Sequence, residues 1–475
     1  MEQSLAQGDR RLVGLPVLLL GGFVTVFDLF VVNVAAPVIQ QQFAASFAGV
    51  GLIIAGYELA FGVLLIAGGR LGDRFGRQRM FSLGMLWFTL TSALCGMATS
   101  VSMLIVARFL QGAAAALLFP QIYALMRVLY NPHQRRRAFA WLGMTLGLAA
   151  IFGQIFGGFI IEADVFGSGW RMIFLINLPI GVLAIVAARR IPESRLEQAQ
   201  RLDGMGLLLA ATGLLLLLVP LLEGPSRGWP WWVLPALACG IGMLWAFIRW
   251  ERRLAQRSGD AVLDPALLRQ GSFAPGVAVV LAIYSTASSF FLCFALLLQA
   301  GIGLTPFQAG SLFAPASAAF MLASFLAPGL VQRWGNGVLA LGVAVYAAGM
   351  ALLVVVVVLS GAALVQPLWL LPGLVILGFG QALSMTPLLN LVLGLAKEHQ
   401  AGMAAGVIST VQQVGGALGI AASGAFFVPL LAGGAGAECY GQAFAGAMVY
   451  NLLAMAVAFG LLRWIIQKQR KLALQ

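Results

Sequence analysis

The sequence predicts an all-α integral membrane protein, and three observations lead to that prediction. Of the 475 residues, 61% are apolar and only 9% are charged. The mean hydropathy is +0.96, and long apolar runs recur along the whole chain. A soluble domain carries about 25% charged residues, so the composition excludes a water-soluble enzyme, a disordered chain and a coiled coil. We expect most of the chain to lie in lipid.

Each apolar run is long enough to cross a hydrocarbon core of about 30 Å at about 1.5 Å per residue. The first run follows Arg10 and Arg11, as a signal peptide would, but its length and its polar Asp28 and Asn33 indicate a mature helix. Fourteen spans are predicted, near residues 14–38, 49–69, 80–98, 102–126, 138–161, 171–188, 204–222, 231–249, 274–298, 308–329, 338–358, 367–394, 403–430 and 442–466.

The basic residues lie almost entirely on one predicted side of the membrane. All but three of the 28 Lys and Arg residues precede the first span or follow an even-numbered span, and the exceptions are Arg108, Arg171 and Arg227. This bias places that side, and both termini with it, in the cytoplasm. The net charge of +12 therefore reflects membrane orientation and does not predict a nucleic-acid partner.

Two loops carry a short internal repeat. The loop after the second span reads GRLGDRFGR at residues 69–77, and the loop after the tenth reads PGLVQRWGN at residues 328–336. In each, Arg-aromatic-Gly follows the second helix of a set of six, which is typical of secondary transporters with a substrate site between two halves. The predicted segments are a cytoplasmic N-terminus at 1–13, a six-helix bundle at 14–190, an inserted helix pair with cytoplasmic linkers at 191–272, a second six-helix bundle at 273–466 and a cytoplasmic C-terminus at 467–475.

The first of these loops resembles the signature loop of the major facilitator superfamily, through the pattern Gly69-xxx-Asp73-Arg74-x-Gly76-Arg77. Five other stretches resemble the fourteen-spanner drug:proton antiporter branch of that family, and together they extend over nearly the whole chain. They are FDLFVVNVAAP ending at Pro37, RFLQG at 108–112, GQIFGG at 153–158, WRxxFxxNxP at 170–179 and QQVGG at 412–416.

The resemblance implies a major facilitator fold of six, two and six helices around a central cavity. It also implies export of hydrophobic, often cationic, drugs or toxic compounds across the inner (plasma) membrane, in exchange for protons and by alternating access. Gating residues are implied at two places, in the signature loop and in the fifth span. They are Gly69, Asp73, Arg74, Gly76, Arg77, Gly153, Gly157 and Gly158. The alternatives are that the arginines only satisfy the charge bias and that the glycines only pack helices closely.

Two departures from the family pattern keep a second function open. The motif of the fifth span usually reads Gly-Pro-x-x-Gly-Gly, and here Gln154 replaces the proline; in the second loop, Gln332 stands where the first has Asp73. The missing proline weakens the case for antiport, so a proton-coupled symporter that imports an organic acid or another small nutrient is an alternative. A more distant alternative is a non-transporting membrane sensor or scaffold, which would need a sizeable soluble module.

Three ionisable side chains fall clearly inside predicted spans: Asp28, Glu58 and Arg108. Such residues are costly in lipid and usually face a protein interior or a cavity, so each is a functional hypothesis. At about 1.5 Å per residue, all three lie in one layer just outside the midplane. We expect a proton, a cationic substrate and Arg108 to compete for the two carboxylates, and the alternative is a purely structural ion pair. Asn33 and Gln111 complete the predicted coupling and substrate site.

The C-terminal spans contain no clearly intramembrane charge, so we expect the cavity surface there to be apolar with scattered amides. Buried amides need hydrogen-bond partners and are the best cavity candidates: Gln381, Asn390, Gln412 and Gln413. We find no nucleotide-binding loop, nucleophile motif or metal-ligand spacing. We therefore expect no enzyme activity, cofactor or metal site. The expected partners are a small substrate, the lipid bilayer and a coupling ion, either a proton or sodium.

Overall fold

The computed structural model is all-helical and describes residues 2–196, 202–257, 265–268, 270–361, 365–397, 400–431, 434 and 436–473. Parts of the predicted linkers around the inserted pair, at 197–201, 258–264 and 269, lie outside these residues. The α-helices are α1 Glu2–Phe43, α2 Phe47–Phe75, α3 Arg77–Gly96, α4 Val101–Leu129, α5 Pro132–Ala163, α6 Met172–Leu175, α7 Asn177–Ala188, α8 Gly204–Ser226, α9 Val233–Arg257, α10 Pro265–Leu268, α11 Phe273–Leu296, α12 Pro306–Leu312, α13 Ala314–Trp334, α14 Gly337–Ser360, α15 Leu371–Leu393, α16 Ala401–Leu431 and α17 Ala437–Ala473.

Thirteen helical segments of the described chain are long and apolar enough to cross a membrane. They correspond to all the predicted spans except the third, near 80–98. That span is helical as α3, and the first turn of this helix carries the polar residues Arg77, Gln78 and Arg79. The predicted fold class, an all-α chain of many membrane-spanning helices, is confirmed.

Two of the predicted spans are interrupted helices. The sixth span consists of a 3-10 turn at Gly169–Arg171, then α6, then α7 after a break at Ile176. The tenth consists of α12 and α13, with Phe313 between them; α12 begins at a capping box in which Thr305 and Gln308 satisfy each other's backbone N–H groups. The ninth span ends in a π-helical turn at Leu297–Gly301. The apolar length of a whole span does not reveal such breaks, because a mean hydropathy over the span is insensitive to where the helix is interrupted.

The helices pack in two groups with a seam between them. In the first group, α4 packs against α2 and α3, and α1 packs against α5. In the second, α15 packs against α13 and α14, while α11, α16 and α17 pack on one another. Across the seam, α2 contacts α16, α5 contacts α12 and α1 contacts α11. The helices α8 and α9 pack on each other, and α8 also covers α2 and α16.

Several contacts across the seam lie at the end expected to face outward. Phe47 at the start of α2 stacks on Phe427 near the end of α16, with ring centroids 5.2 Å apart. The carboxylate of Glu162 at the end of α5 accepts a hydrogen bond of 3.3 Å from the backbone N–H of Phe307. The side-chain amide of Gln299 donates to a carbonyl oxygen of α1 at 2.9 Å. These contacts hold the two groups together at that end.

Within the first group, α2 and α4 approach until their backbones touch. A Cβ atom added to Gly112 of α4 would overlap the backbone of Tyr57, and one added to Gly68 of α2 would overlap the backbone of Ala116. Only glycine allows backbones to come this close. The approach matters for the site because α4 carries Arg108 and α2 carries Glu58.

We predict that Gly112→Leu lowers thermal stability, because the side chain must push α4 away from α2. Overpacking of this kind costs about 1–3 kcal/mol or more. The matched control is Gly143→Leu, since a Cβ added to Gly143 meets nothing within 4 Å. Unfolding of the purified protein in detergent, followed by tryptophan fluorescence, should show a lower midpoint for Gly112→Leu only. Equal midpoints for the two variants would contradict the close approach of α2 and α4.

Candidate functional site

The centre of the first helix group holds a fully buried ion pair between Asp28 of α1 and Arg108 of α4. The Nη1 of Arg108 donates to Oδ2 of Asp28 and, at 2.8 Å, to Oε1 of Gln111. Its Nε donates to the carbonyl oxygen of Ile53 in α2 at 3.2 Å. The guanidinium therefore joins three helices at one point.

The second carboxylate oxygen of Asp28 is also hydrogen-bonded. It accepts from the side-chain amides of Gln111 at 2.9 Å and Asn177 at 3.3 Å. Asn177 is the first residue of α7, after the break in the sixth span, and also donates to Oγ of Ser92 in α3 at 3.0 Å. Ser92 in turn donates to the carbonyl oxygen of Phe174 at 2.9 Å. The network thus extends from α1 and α4 to α3, α6 and α7.

Aromatic rings enclose the charged end of Arg108. Its Cζ lies 4.3 Å from the centroid of Tyr57 and 5.7 Å from that of Phe174. The hydroxyl of Tyr57 donates to the carbonyl oxygen of Thr25 at 3.2 Å. The rings replace water around the guanidinium and favour its charge through cation–π attraction. Within the described part of the chain, Nη2 of Arg108 has no hydrogen-bond partner.

Glu58 lies outside this network, at the seam between the two helix groups. Its side chain is buried, with 4% of the residue exposed. One carboxyl oxygen accepts a hydrogen bond of 2.7 Å from the hydroxyl of Ser288 in α11. The other has no hydrogen-bond partner among the described residues. Gly416 of α16 makes room for this contact, because a Cβ there would lie 2.6 Å from Oγ of Ser288 and 2.9 Å from Cδ of Glu58.

The predicted coupling residues therefore separate into two places. Asp28, Arg108 and Gln111 form one network, as their spacing predicts, whereas Glu58 bonds across the seam. Asn33 also lies apart: its amide donates at 3.1 Å to a carbonyl oxygen one turn earlier in its own helix, and its Oδ1 is buried without a partner in the described structure. Sequence reasoning missed Ser92, Ser288 and the role of Asn177, although Asn177 lies within a motif that signals the family.

The predicted gating residues of the signature loop form a compact turn at the C-terminal end of α2. Arg77 donates to the carboxylate of Asp73 from Nη2 at 2.7 Å and from Nε at 3.0 Å. Gly76 between the two helices has φ +108°, a conformation that favours glycine. The guanidinium of Arg74 lies over the ring of Phe75. A Cβ added to Gly69 meets the ring of Pro120 in α4 only at 3.8 Å, so this position does not require glycine for space.

The segment 191–196, which follows α7, is tied to this turn, and sequence reasoning did not find it. The carboxylate of Glu193 accepts hydrogen bonds from the backbone N–H groups of Gln78 at 2.9 Å and Arg79 at 3.0 Å. A carboxylate at a helix N-terminus satisfies open N–H groups and the helix dipole. Two backbone hydrogen bonds of 2.9 Å join the same segment to Asp73 of α2 and to Arg77, the first residue of α3. The only available signal was one acidic residue among arginines directly after the sixth span.

The predicted gating glycines of α5 contact two different helices. Gly153 and Gly157 face α1, and a Cβ on Gly153 would lie 3.0 Å from the carbonyl oxygen of Phe27. Gly158 faces α12, where an added Cβ would overlap the backbone of Pro306 across the seam. Gln154 is buried between them, and its Oε1 has no partner in the described structure. The α5 helix runs unbroken through this position.

The four candidate amides of the C-terminal spans do not form one cluster. The side chain of Gln412 lies beside the hydroxyl of Tyr284 in α11. Gln413 lies against α2, where a Cβ on Gly62 would come 2.8 Å from its Cβ. Gln381 is buried in α15. The two amides of α16 therefore lie at or near the seam, and Gln381 lies within its own group.

Asn390 is exposed, so the expectation that it is a buried amide is wrong. It lies near the inner end of α15, beside a cavity of about 390 Å³ between the ends of α13, α14, α15 and α17. Thr386, Asn336 and Gln469 also line this cavity. No described residue of α2, α11 or α16 lines this cavity, so it is distinct from the surroundings of Glu58.

Known proteins of one family are similar to this chain over most of its length. Residues 18–420 match the family model described as Major Facilitator Superfamily. The chain is 37% identical over 425 residues to the "Probable actinorhodin transporter" of Streptomyces coelicolor, covering 89% of this chain and 73% of that protein. It is 34% identical to the "Puromycin resistance protein pur8" of Streptomyces alboniger (89% and 83% covered) and 32% identical to the "Multidrug resistance protein Stp" of Mycobacterium tuberculosis (85% and 74% covered).

Solved structures show the same fold at low sequence identity. A bacterial homologue of the human lysosomal transporter Spinster, in an inward-facing and unoccupied conformation, superposes with a TM-score of 0.66 at 16% identity, covering 96% of this chain and 98% of that one. A peptide transporter POT in complex with sulfate superposes with a TM-score of 0.68 at 17% identity, with 95% of each chain covered. At this identity the likeness describes the fold and not the substrate.

We predict that Asp28→Asn destabilises the protein far more than Glu58→Gln does. The first change leaves the buried Arg108 charge without a counter-charge, which costs about 3–5 kcal/mol. The second keeps an acceptor for Ser288 and removes a charge that no guanidinium balances directly. Thermal unfolding in detergent should show this order, and the double variant Asp28→Asn/Arg108→Gln should recover part of the loss. Equal midpoints for the two single variants would contradict the assignment.

Proposed function

The chain belongs to the Major Facilitator Superfamily, and on that premise we propose that it exports hydrophobic, cationic drug-like compounds in exchange for protons. Its relatives include proteins named for antibiotic resistance, for multidrug resistance and for export, such as the "Tetracenomycin C resistance and export protein" of Streptomyces glaucescens, which is 31% identical. These relatives support a drug exporter.

In the proposed topology, the protein lies in the plasma membrane and both of its termini are in the cytoplasm. It follows from the distribution of the basic residues, which lie at the inner ends of the spans. The proposed domains are six helices at 14–190, the inserted pair with its linkers at 191–272 and six helices at 273–466. The packing of α1 to α7 and of α11 to α17 into separate groups supports this division.

The observation that carries the proposal is the position of Glu58. Its carboxyl group reaches across the seam to Ser288, and its second oxygen is buried without a partner among the described residues. A carboxyl group in that state can be neutralised by a proton or by a cationic substrate, but not by both together. Exchange requires this mutual exclusion, because the two ligands must occupy one group in turn.

The ion pair of Asp28 and Arg108 has a different proposed role. Every oxygen of Asp28 already accepts from Arg108, Gln111 or Asn177. Binding of a cation or a proton there would displace bonds inside a rigid network. We assign the pair to holding α1, α4 and α7 in register beside Glu58, so that the charge of Arg108 is balanced within the first group.

Alternating access would then be a movement of one helix group against the other about the seam. The contacts of Phe47 with Phe427 and of Glu162 with Phe307 hold the outer end closed in this conformation. At the inner end, the turn at Asp73 to Arg77 and the segment 191–196 would form the latch that closes when the site opens outward. Gly158 and Gly416 have no side chains that interlock with the opposite group, so the two groups can separate at these contacts.

A proton-coupled symporter is the second candidate, and the observation that favours it is Gln154. In place of the family's proline, Gln154 leaves α5 as an unbroken helix at the seam. A symporter needs a site that binds proton and cargo together. Gln154 has a buried amide oxygen open to a donor, which suits an uncharged cargo that carries a hydrogen-bond donor.

The test uses the purified protein in liposomes that contain a pH-sensitive dye. We expect addition of ethidium under an imposed pH gradient to drive proton movement opposite to the cation, and Glu58→Gln to abolish that movement. The matched control is Glu223→Gln, which removes a carboxylate paired with Arg227 at the end of α8. Proton movement that persists in Glu58→Gln would refute the exchange role of Glu58. Proton movement in the same direction as the cargo would instead show that the protein is a symporter.

A further inference from the structure

A continuous line of aromatic rings leads from Glu58 toward the inner end of the first helix group. Phe61, on α2, lies 6.0 Å from Tyr57 and 5.5 Å from Phe119 of α4, measured between ring centroids. Phe119 lies 5.5 Å from Tyr123, and Tyr123 stacks at 5.9 Å on Phe139 of α5. We call Phe61, Phe119, Tyr123 and Phe139 the aromatic wall.

The aromatic wall begins next to Glu58, the carboxylate proposed to bind a proton and the substrate in turn. Phe61 follows Glu58 by three residues in α2, so the two side chains lie on neighbouring parts of one helix face. From there the rings descend along α4 toward its inner end and reach the second turn of α5 at Phe139. A compound that approaches Glu58 from the inner end therefore passes along these rings.

The wall faces the second helix group and not only lipid. Tyr123 lies near Tyr284 of α11, which belongs to the other side of the seam. Tyr284 also lies beside the side-chain amide of Gln412 in α16. The rings of the first group and this polar pair of the second group thus border the same space.

Exposure along the wall is greatest at Tyr123. Phe61 is buried at 3% exposed, Phe119 and Phe139 are partly exposed, and Tyr123 is 37% exposed. The ring surface open to a ligand therefore lies mainly at Tyr123 and its neighbours. A polar hydroxyl on an exposed ring in the inner half of a span is better explained by a solvated gap than by contact with lipid chains.

We propose that the aromatic wall is a binding subsite for planar aromatic compounds, and that the Tyr284–Gln412 pair orients them through hydrogen bonds to their polar substituents. Aromatic rings favour offset-stacked and edge-to-face contacts with other flat rings, which a compact, non-planar molecule cannot make along a whole wall. A few fixed polar groups in an otherwise apolar site give orientation. The inference rests on the proposed export function and adds a shape requirement to the charge requirement at Glu58.

The experiment compares two cations of equal charge and different shape. Ethidium is a planar fused aromatic cation, whereas tetraphenylphosphonium holds four rings in a tetrahedral arrangement. The test variant is Phe119→Leu, which keeps an apolar side chain of similar volume and removes the ring. The matched control is Phe325→Leu in α13, because Phe325 is 69% exposed and lies outside the wall.

We expect Phe119→Leu to weaken ethidium binding by about three- to tenfold, the usual contribution of one aromatic contact. Binding is measured from ethidium fluorescence with the purified wild type and both variants, and tetraphenylphosphonium binding by its competition. Tetraphenylphosphonium affinity should change less than about twofold, and Phe325→Leu should change neither affinity. Tyr284→Phe, which removes only the hydroxyl group, should weaken ethidium by about two- to tenfold, because the amino groups of ethidium lose one hydrogen bond.

Transport of the same two cations in liposomes separates the inference from the proposed function. Equal loss of both cations in Phe119→Leu, or no loss of either, would overturn the subsite even if proton exchange occurs. Shape-selective binding by the wild type without any cation export would support the subsite and overturn the proposed function. Absence of both binding and export in the wild type would overturn both.

Discussion

The cost of placing charge inside the membrane determines how the first helix group is built. A buried guanidinium or carboxylate is stable there only if an opposite charge and enough hydrogen bonds replace its lost water. Arg108 meets this requirement with Asp28, Gln111 and the carbonyl oxygen of Ile53. These partners come from different helices, so the pair can persist only if α1, α2 and α4 keep one relative position. The result is a group that should move as a unit.

Burying the carboxylate of Glu58 has the same energetic cost, but a different kind of partner compensates for it. Its hydrogen-bond partner, Ser288, belongs to the second helix group. In the proposed movement, Glu58 would lose this partner, whereas Asp28 would keep all of its partners. The two carboxylates lie at similar predicted depths, but only one of them depends on the conformation of the seam. The distinction gives a physical reason to link protonation or substrate binding to movement at Glu58.

The rest of the structure supports the same movement. Glycines allow the helices to touch within a group, as at Gly112, and across the seam, as at Gly416. At the inner end, Glu193 holds the start of α3 and connects the segment after α7 to the turn at Asp73 and Arg77. Each helix group therefore has a closely packed interior, and the two groups meet at a narrow seam that few hydrogen bonds cross in the described part of the chain.

The sequence by itself determined the membrane class, nearly all of the spans, the family and the burial of Asp28, Glu58 and Arg108 within spans. Apolar length and charge cost are local properties, so they can be read from one segment at a time. The tertiary structure decided that Arg108 pairs with Asp28, that Glu58 turns to Ser288, that Asn390 is exposed and that Glu193 binds the start of α3. Each of these depends on which helices become neighbours and on how each is rotated. Because nearly every helix here is apolar on all sides, the pattern of the sequence does not record that rotation.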